Sequence, residues 1–228
     1  MRCDYHEAGR CRSCTLIEIP YARQITLKQE RAAATLDDVA PGLSWLAPVL
    51  SDERGFRTKA KMAVAGTLDA PAIGILDAHG RGQDLRGCPL YPPGLAAAFG
   101  PLADFVTHAR LEPYAVPERR GELKHVLVTV APDGALMVRW VLRSTEALSR
   151  IRKHLPWLRE RLPELAVASV NVLPEHKAVL EGETEILLTE RETLTMTVNG
   201  IDLHLRPQSF FQTNTEVAAA LYRQATAW

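Results

Sequence analysis

Four cysteines, three of them crowded into positions 3–14 and one far downstream, constrain this chain more than any other feature of its sequence. Cys3, Cys11 and Cys14 form C-x7-C-x2-C, and Cys88 stands immediately before Pro89. Two disulfides would use an even number of thiols, but such bridges persist in oxidising compartments. The N-terminus lacks the apolar stretch of ~7–15 residues that a secretory signal needs. Three free core cysteines so close together, in a stretch rich in Arg, Gly and Ser, would be equally unusual. A four-thiolate metal site accounts for the set better, because soft anionic sulfurs close a tetrahedron around zinc or ligate a [4Fe–4S] cluster. Structural zinc usually shows two short C-x2–4-C knuckles. Here only one pair is tight, and a compact run with a distant Cys-Pro favours the cluster over zinc.

The remaining sequence predicts a mixed α/β fold, an α+β hairpin-rich domain behind the cysteine loop. Good helix formers over 23–39 predict a helix. Residues 56–64 alternate, with Arg57, Lys59 and Lys61 on one face and Phe56, Ala60, Met62 and Val64 on the other, which describes a strand with a basic face. A strand at 72–76 pairs with it across the turn at 69–71. Leu95, Phe99, Leu102, Phe105 and Val106 repeat at helical spacing behind Pro92-Pro93, a helix-start signal. Strands at 125–130 and 136–141 flank Pro132-Asp133-Gly134. Ser144 is expected to cap a helix running through Ile151 to about Leu155, where Pro156 ends it. Residues 167–172 and 185–189 read as strands, and those at 194–198 and 201–205 surround Asn199-Gly200, a strong hairpin signal. Asn214 precedes Val217, Leu221, Ala225 and Trp228, a capped amphipathic helix. That pattern stops in mid-helix at Trp228, so the sequence is expected to be part of a longer chain. No apolar run approaches the ~18–20 residues of a membrane helix. With 46% hydrophobic residues and 27 basic against 27 acidic side chains, a folded, cytoplasmic protein is expected rather than a disordered one.

Much familiar chemistry is missing. No Gly-rich loop follows a strand, no Ser or Cys sits in a nucleophile elbow, no H-E-x-x-H occurs, and the seven histidines are dispersed. Basic residues, by contrast, cluster: Arg54, Arg57, Lys59 and Lys61; Arg119, Arg120 and Lys124; Arg10 and Arg12 inside the cysteine loop. Acids such as Glu181, Glu183 and Glu185 lie elsewhere. In a chain of zero net charge this segregation describes either solvated faces or a groove that tracks phosphates.

At 206–214 the sequence reads R-P-Q-S-F-F-Q-T-N. On physical grounds this is a strand end with two core phenylalanines leading to a helix N-cap. It also resembles the segment that joins the central domain to the Rossmann-like domain in the S-adenosylmethionine-dependent RNA 5-methyluridine methyltransferases. G-F-R-T-K-A-K-M at 55–62 and R-R-G-E-L-K-H at 119–125 are similar to segments of that family. So is the cysteine pattern, which there binds a [4Fe–4S] cluster. The resemblance covers essentially the whole chain and is nearest to members acting on 23S rRNA.

The resemblance implies an iron–sulfur and RNA-binding central domain at 1–206, with the first segment of a methyltransferase domain at 207–228. It implies Cys3, Cys11, Cys14 and Cys88 as cluster ligands, Gln212 as a contact to S-adenosyl-L-methionine, and Phe210 as an aromatic residue close to the target base. Core packing is expected for Phe211. Charge makes Arg57, Lys59, Lys61, Arg120 and Lys124 candidate phosphate contacts. The implied reaction is C5-methylation of a uridine in 23S rRNA by a monomeric, membrane-free enzyme. In it a cysteine thiolate adds to uracil C6, C5 attacks the cofactor methyl group, and a carboxylate removes the C5 proton. That cysteine and that base are expected beyond these 228 residues, and the chain alone is expected to be inactive. The alternative is an iron–sulfur or zinc RNA-binding module without catalysis.

Overall fold

The computed structural model describes residues 1–177 and 179–228. A single turn, α1 (Asp4–Glu7), lies inside the cysteine loop, and α2 (Tyr21–Asp37) follows directly after Pro20 on the stretch of helix formers. Strand β1 (Lys59–Gly66) forms an antiparallel hairpin with β2 (Pro71–Leu76). A short edge strand, β3 (Gly82–Asp84), adds to β2; three residues are too few to show alternation in the sequence. Helix α3 (Pro93–His108) opens on Pro93, whose missing N–H costs nothing in a first turn. The Pro-Asp-Gly turn joins β4 (Leu123–Val130) to β5 (Leu136–Leu142), with Gly134 at φ +88°. Helix α4 (Leu148–Arg161) returns the chain to β6 (Leu165–Val172), and β7 (Thr184–Leu187) pairs with β6. The hairpin of β8 (Leu194–Val198) and β9 (Ile201–Leu205) turns on Asn199 and Gly200, both at positive φ as a type I′ turn demands. Helix α5 (Thr215–Ala227) completes the described elements.

Seven strands form one sheet in the order β3-β2-β1-β4-β5-β6-β7. Among the described strands every pairing is antiparallel except β5 with β6, a parallel pair whose strands are joined through α4. Helices α3 and α4 cover one face. Leu95, Phe99, Leu102 and Phe105, spaced three or four apart, are fully or almost fully buried there. They meet Trp140 of β5, whose ring centroid lies 5.4 Å from that of Phe105. The opposite face is covered in part by β8–β9, which lays Leu194 and Met196 against Met137 and Val167, with Phe211 packed at the margin. Lys59, Thr129, Met137 and Val167 form one cross-strand row on this face, and Lys61, Leu127, Arg139 and Ser169 form the next.

Two sequence expectations fail at α4. The helix does not stop at Pro156 but runs through it to Arg161, and Ser144 does not cap it. Ile151, Leu155 and Leu158 recur along one face and are buried, so tertiary packing outweighs the ~3 kcal/mol that an interior proline costs. Ser144 instead donates its hydroxyl to the Glu122 carboxylate at 2.7 Å. Arg57 also lies outside the strand predicted for 56–64, because β1 begins at Lys59.

Candidate functional site

The cysteine loop is clamped onto the segment that carries Cys88. Cys3 precedes α1, and its carbonyl accepts the N–H groups of His6 and Glu7 at 3.0 Å. The Tyr5 carbonyl accepts from Cys11 N–H at 3.1 Å, while the Tyr5 hydroxyl accepts from Gly87 N–H at 3.0 Å. A side chain at position 87 would collide with that hydroxyl, since a Cβ there would sit 2.9 Å from it. Arg10 reaches across to the Asp84 carbonyl at 3.4 Å. These contacts bring Cys88 back to the N-terminus.

All four thiols are free and half-buried. Burial pushes the Cys14 and Cys88 thiols up from their ordinary pKa, and the other cysteines of the set push them further. Such mutual repulsion is what a cationic centre relieves. Arg57 acts the other way on Cys14, so its charge faces the cysteines. Its Nε donates to the Lys59 carbonyl at 3.3 Å. Half-buried Tyr91 packs against the core beside this region, its phenol pushed up to about 12 by burial and by Cys88. Among the described residues, no three His, Cys, Asp or Glu side chains are gathered tightly enough for a single metal ion.

The segment 206–214 runs along the sheet and is bolted at its end. Thr58 N–H and hydroxyl both donate to the Thr213 carbonyl, at 2.8 and 3.0 Å. Asn214 caps α5 by accepting from Val217 N–H at 3.1 Å, and its amide donates to the Ser51 hydroxyl at 2.6 Å. Ser51 N–H in turn donates to the Tyr21 hydroxyl at 2.8 Å. Replacing Asn214 with alanine removes both bonds and is expected to cost about 1–2 kcal/mol in urea unfolding. Phe210 is 81% exposed, whereas Phe211 packs into the cluster under β8–β9. Gln212 is exposed and lines a small crevice with Lys59, Thr129, Arg206 and Ser209.

The basic candidates separate. Lys61 and Arg120 are exposed. Lys59 is half-buried, and its ammonium is pushed below its usual pKa by burial, Arg139 and Lys61. Lys124 does not fit a phosphate contact. It is 6% exposed, at an irregularity in the β4–β5 register, and its ammonium donates to the carbonyls of Leu173 and Glu175 at 2.7 Å each. It also sits 4.8 Å from the centre of the Tyr114 ring. Its charge holds the 173–175 segment to the sheet and is spent there.

Sequence reasoning missed the most buried charge. Arg139 is 2% exposed and lies on the open sheet face. Its Nε and Nη2 meet the two Glu185 carboxylate oxygens at 3.0 and 2.6 Å, and Nη1 meets Glu181 at 2.6 Å. Ser169 and Asn171 complete the shell around Glu185. A lone arginine in an apolar strand was the available signal, since such a charge must find partners.

No family model matches the chain. The 23S rRNA (uracil(747)-C(5))-methyltransferase RlmC of Edwardsiella ictaluri is 48% identical over 229 residues, spanning 100% of this chain and 60% of that protein. Along its full length the chain is similar to these methyltransferases. RlmC of Escherichia coli is likewise 48% identical, over 100% of this chain and 61% of that protein. The chain therefore spans about three-fifths of the length of the curated relatives it matches. Among solved structures, Pyrococcus abyssi tRNA (uracil-54, C5)-methyltransferase, in complex with S-adenosyl-L-homocysteine, has a TM-score of 0.75 at 19% identity. The likeness covers 95% of this chain and 50% of that one and establishes a shared fold. Among the described residues, no helix is long and apolar enough to cross a membrane.

Proposed function

We propose that this chain is the cluster-bearing, RNA-facing part of an S-adenosyl-L-methionine-dependent methyltransferase that methylates C5 of a uridine in 23S rRNA. The observation that carries this is the 48% identity to RlmC proteins over the whole chain. Residues 1–206 form the cluster and RNA-binding domain, and 207–228 begin the methyltransferase domain. The protein acts as a cytoplasmic monomer.

Cys3, Cys11, Cys14 and Cys88 would hold the [4Fe–4S] cluster. Four free thiols, on distant segments joined by the Tyr5–Gly87 clamp, supply that donor set. One zinc ion would need all four sulfurs within about 3.8 Å of one another, given Zn–S bonds of ~2.3 Å. A cluster offers each thiolate its own iron and so accepts a wider set. When bound, it would cross-link the loop at 3–14 to Cys88. With the thiols so committed, none serves as the nucleophile that adds to uracil C6, and that thiolate and its base are assigned to the rest of the full-length protein.

Phe210 offers an exposed ring for stacking on a base drawn from its helix. Gln212, able both to donate and to accept, contacts the cofactor. Lys61 and Arg120 contact phosphate, and Arg57 and Lys59 support the site from between the cysteines and the Gln212 crevice.

In the full-length protein, Gln212→Ala is expected to weaken S-adenosyl-L-methionine binding by about 1–3 kcal/mol, the cost of an unpaired polar partner. RNA affinity should hardly change, since phosphate contacts dominate it. Lys61→Ala should do the reverse and flatten the salt dependence of RNA binding. Calorimetry on both variants, with transfer of labelled methyl groups to 23S rRNA, checks the assignment. Unchanged cofactor affinity in Gln212→Ala would return that residue to a purely structural role, and no transfer by the full-length protein would favour a non-catalytic RNA-binding module.

A further inference from the structure

Beyond the reach of β8–β9, the open sheet face holds a groove of about 460 Å³, within the range of ~300–1,000 Å³ usual for small-ligand sites. Its floor is formed by β1, β2 and β4, and its far wall by the segments around Tyr114 and His176. Ala63, Ile75, Val179 and Leu180 give it apolar sides. The Tyr114 hydroxyl and His176 Nδ1, 3.0 Å apart, close one end.

Three features narrow the ligand. First, His125 lines the groove, and its Nδ1 is buried without a hydrogen-bond partner among the described residues. Burial, reinforced by Lys124, lowers the ring's pKa to about 4, so it remains neutral near pH 7 and presents a hydrogen-bonding edge rather than a charge. Second, Lys61 and Lys177 are exposed at the margin, while among the described residues no acidic side chain lines the groove. Lys124 also lines the groove, but its ammonium is committed to the Leu173 and Glu175 carbonyls. An apolar slot with the neutral His125 ring inside, the Tyr114–His176 pair at one end and exposed cations at its margin suits a planar heterocycle joined to phosphate. Third, Lys61 is the next outward residue of β1 after Lys59, which lines the Gln212 crevice. The two positions are about 7 Å apart along the strand, so neighbouring sites lie on one track.

We infer that the groove receives a second unpaired nucleotide of the RNA, its base against His125 between the apolar sides and its phosphate at Lys61 and Lys177. This inference rests on the proposed RNA substrate. It makes the sheet face a reader of RNA context, distinct from the place where Phe210 meets a base.

The test uses the 228-residue chain and labelled single-stranded RNAs of about ten nucleotides, with an abasic site moved through each position in turn, followed by fluorescence anisotropy. In the wild type, one abasic position away from that sensed by Phe210→Ala should lower affinity about tenfold, the scale of one lost base contact. Ala63→Trp, which fills the groove, should lower affinity by a similar factor and abolish sensitivity to that position alone. His125→Phe, which keeps the shape and removes the ring nitrogens, should do so in part. Wild-type binding with no such abasic position, or with that position's effect unchanged in folded Ala63→Trp and His125→Phe, overturns the groove and leaves the RNA substrate standing. No binding of any RNA by the wild type overturns both.

Discussion

Arg139→Ala is expected to destabilise the protein by about 3–5 kcal/mol, because it strands a buried carboxylate rather than removing a surface charge. Glu185 has 11% of its side chain exposed, and its two oxygens receive the Arg139 guanidinium in a fork. Burial opposes the Glu185 charge, but hydrogen bonds from Arg139, Ser169 and Asn171, together with the arginine's charge, outweigh it and hold the carboxyl below its usual pKa. A carboxyl depressed on folding stabilises the protein above its unfolded pKa, near 4.5 here, and that contribution disappears as pH falls through the lower folded value. Urea titrations at neutral pH should show the full loss for Arg139→Ala. The gap from wild type should narrow in acid, as pH falls through the lowered folded pKa of Glu185 and the carboxyl is protonated in both. Arg139→Met combined with Glu185→Leu should recover much of the stability, since the isolated charge is then gone. A single-variant loss under about 1 kcal/mol would mean that the pair behaves as a surface salt bridge.

Cys88→Ser is expected to remove most of the iron. Anaerobically purified protein should carry about four iron and four acid-labile sulfide per chain, with the visible absorption of a cluster. In the proposed cluster site, loss of Cys88 would separate the two halves, since the other three cysteines share one loop. The variant should also make the loop at 1–15 more open to proteolysis, because it then lacks the cross-link. It remains tied to the 84–88 segment by the Tyr5–Gly87 and Arg10–Asp84 contacts, and to the rest of the chain by the Met1–Glu53 and Arg54–Arg2 contacts. Metal and sulfide analysis of wild type and variant decides the matter. Stoichiometric zinc with no iron or sulfide in the wild type would replace the cluster by a single-ion site.

What the sequence disclosed was local. Asn199-Gly200 and Pro132-Asp133-Gly134 fixed two hairpins because their turn geometry depends on a few adjacent residues, and Asn214 caps α5 for the same reason. The segment 206–214 reads locally as two core phenylalanines, and this holds for Phe211 but not for Phe210, which only the resemblance set apart and which is exposed. Long-range decisions were hidden. Pro156 reads as a stop until Ile151, Leu155 and Leu158 are seen to pack on the sheet. Lys124 reads as a phosphate contact until the β4–β5 irregularity brings its ammonium to two carbonyls some fifty residues downstream. Arg139 and Glu185 are 46 positions apart, so neither residue's neighbours announce the pair. The groove around His125 could not be anticipated, since it exists only where β8–β9 leaves the sheet uncovered.

The ties at Thr213 and Asn214 have a mechanical consequence. A linker of free residues would let α5 swing, and each productive encounter would then carry the entropy cost of stopping that swing. Here the joint is seized: Thr58 holds one residue, Ser51 holds the next, and Tyr21 braces Ser51. Whatever α5 supports therefore turns with the sheet and α2 as one lever, and the direction in which α5 leaves the sheet is set during folding rather than at each encounter.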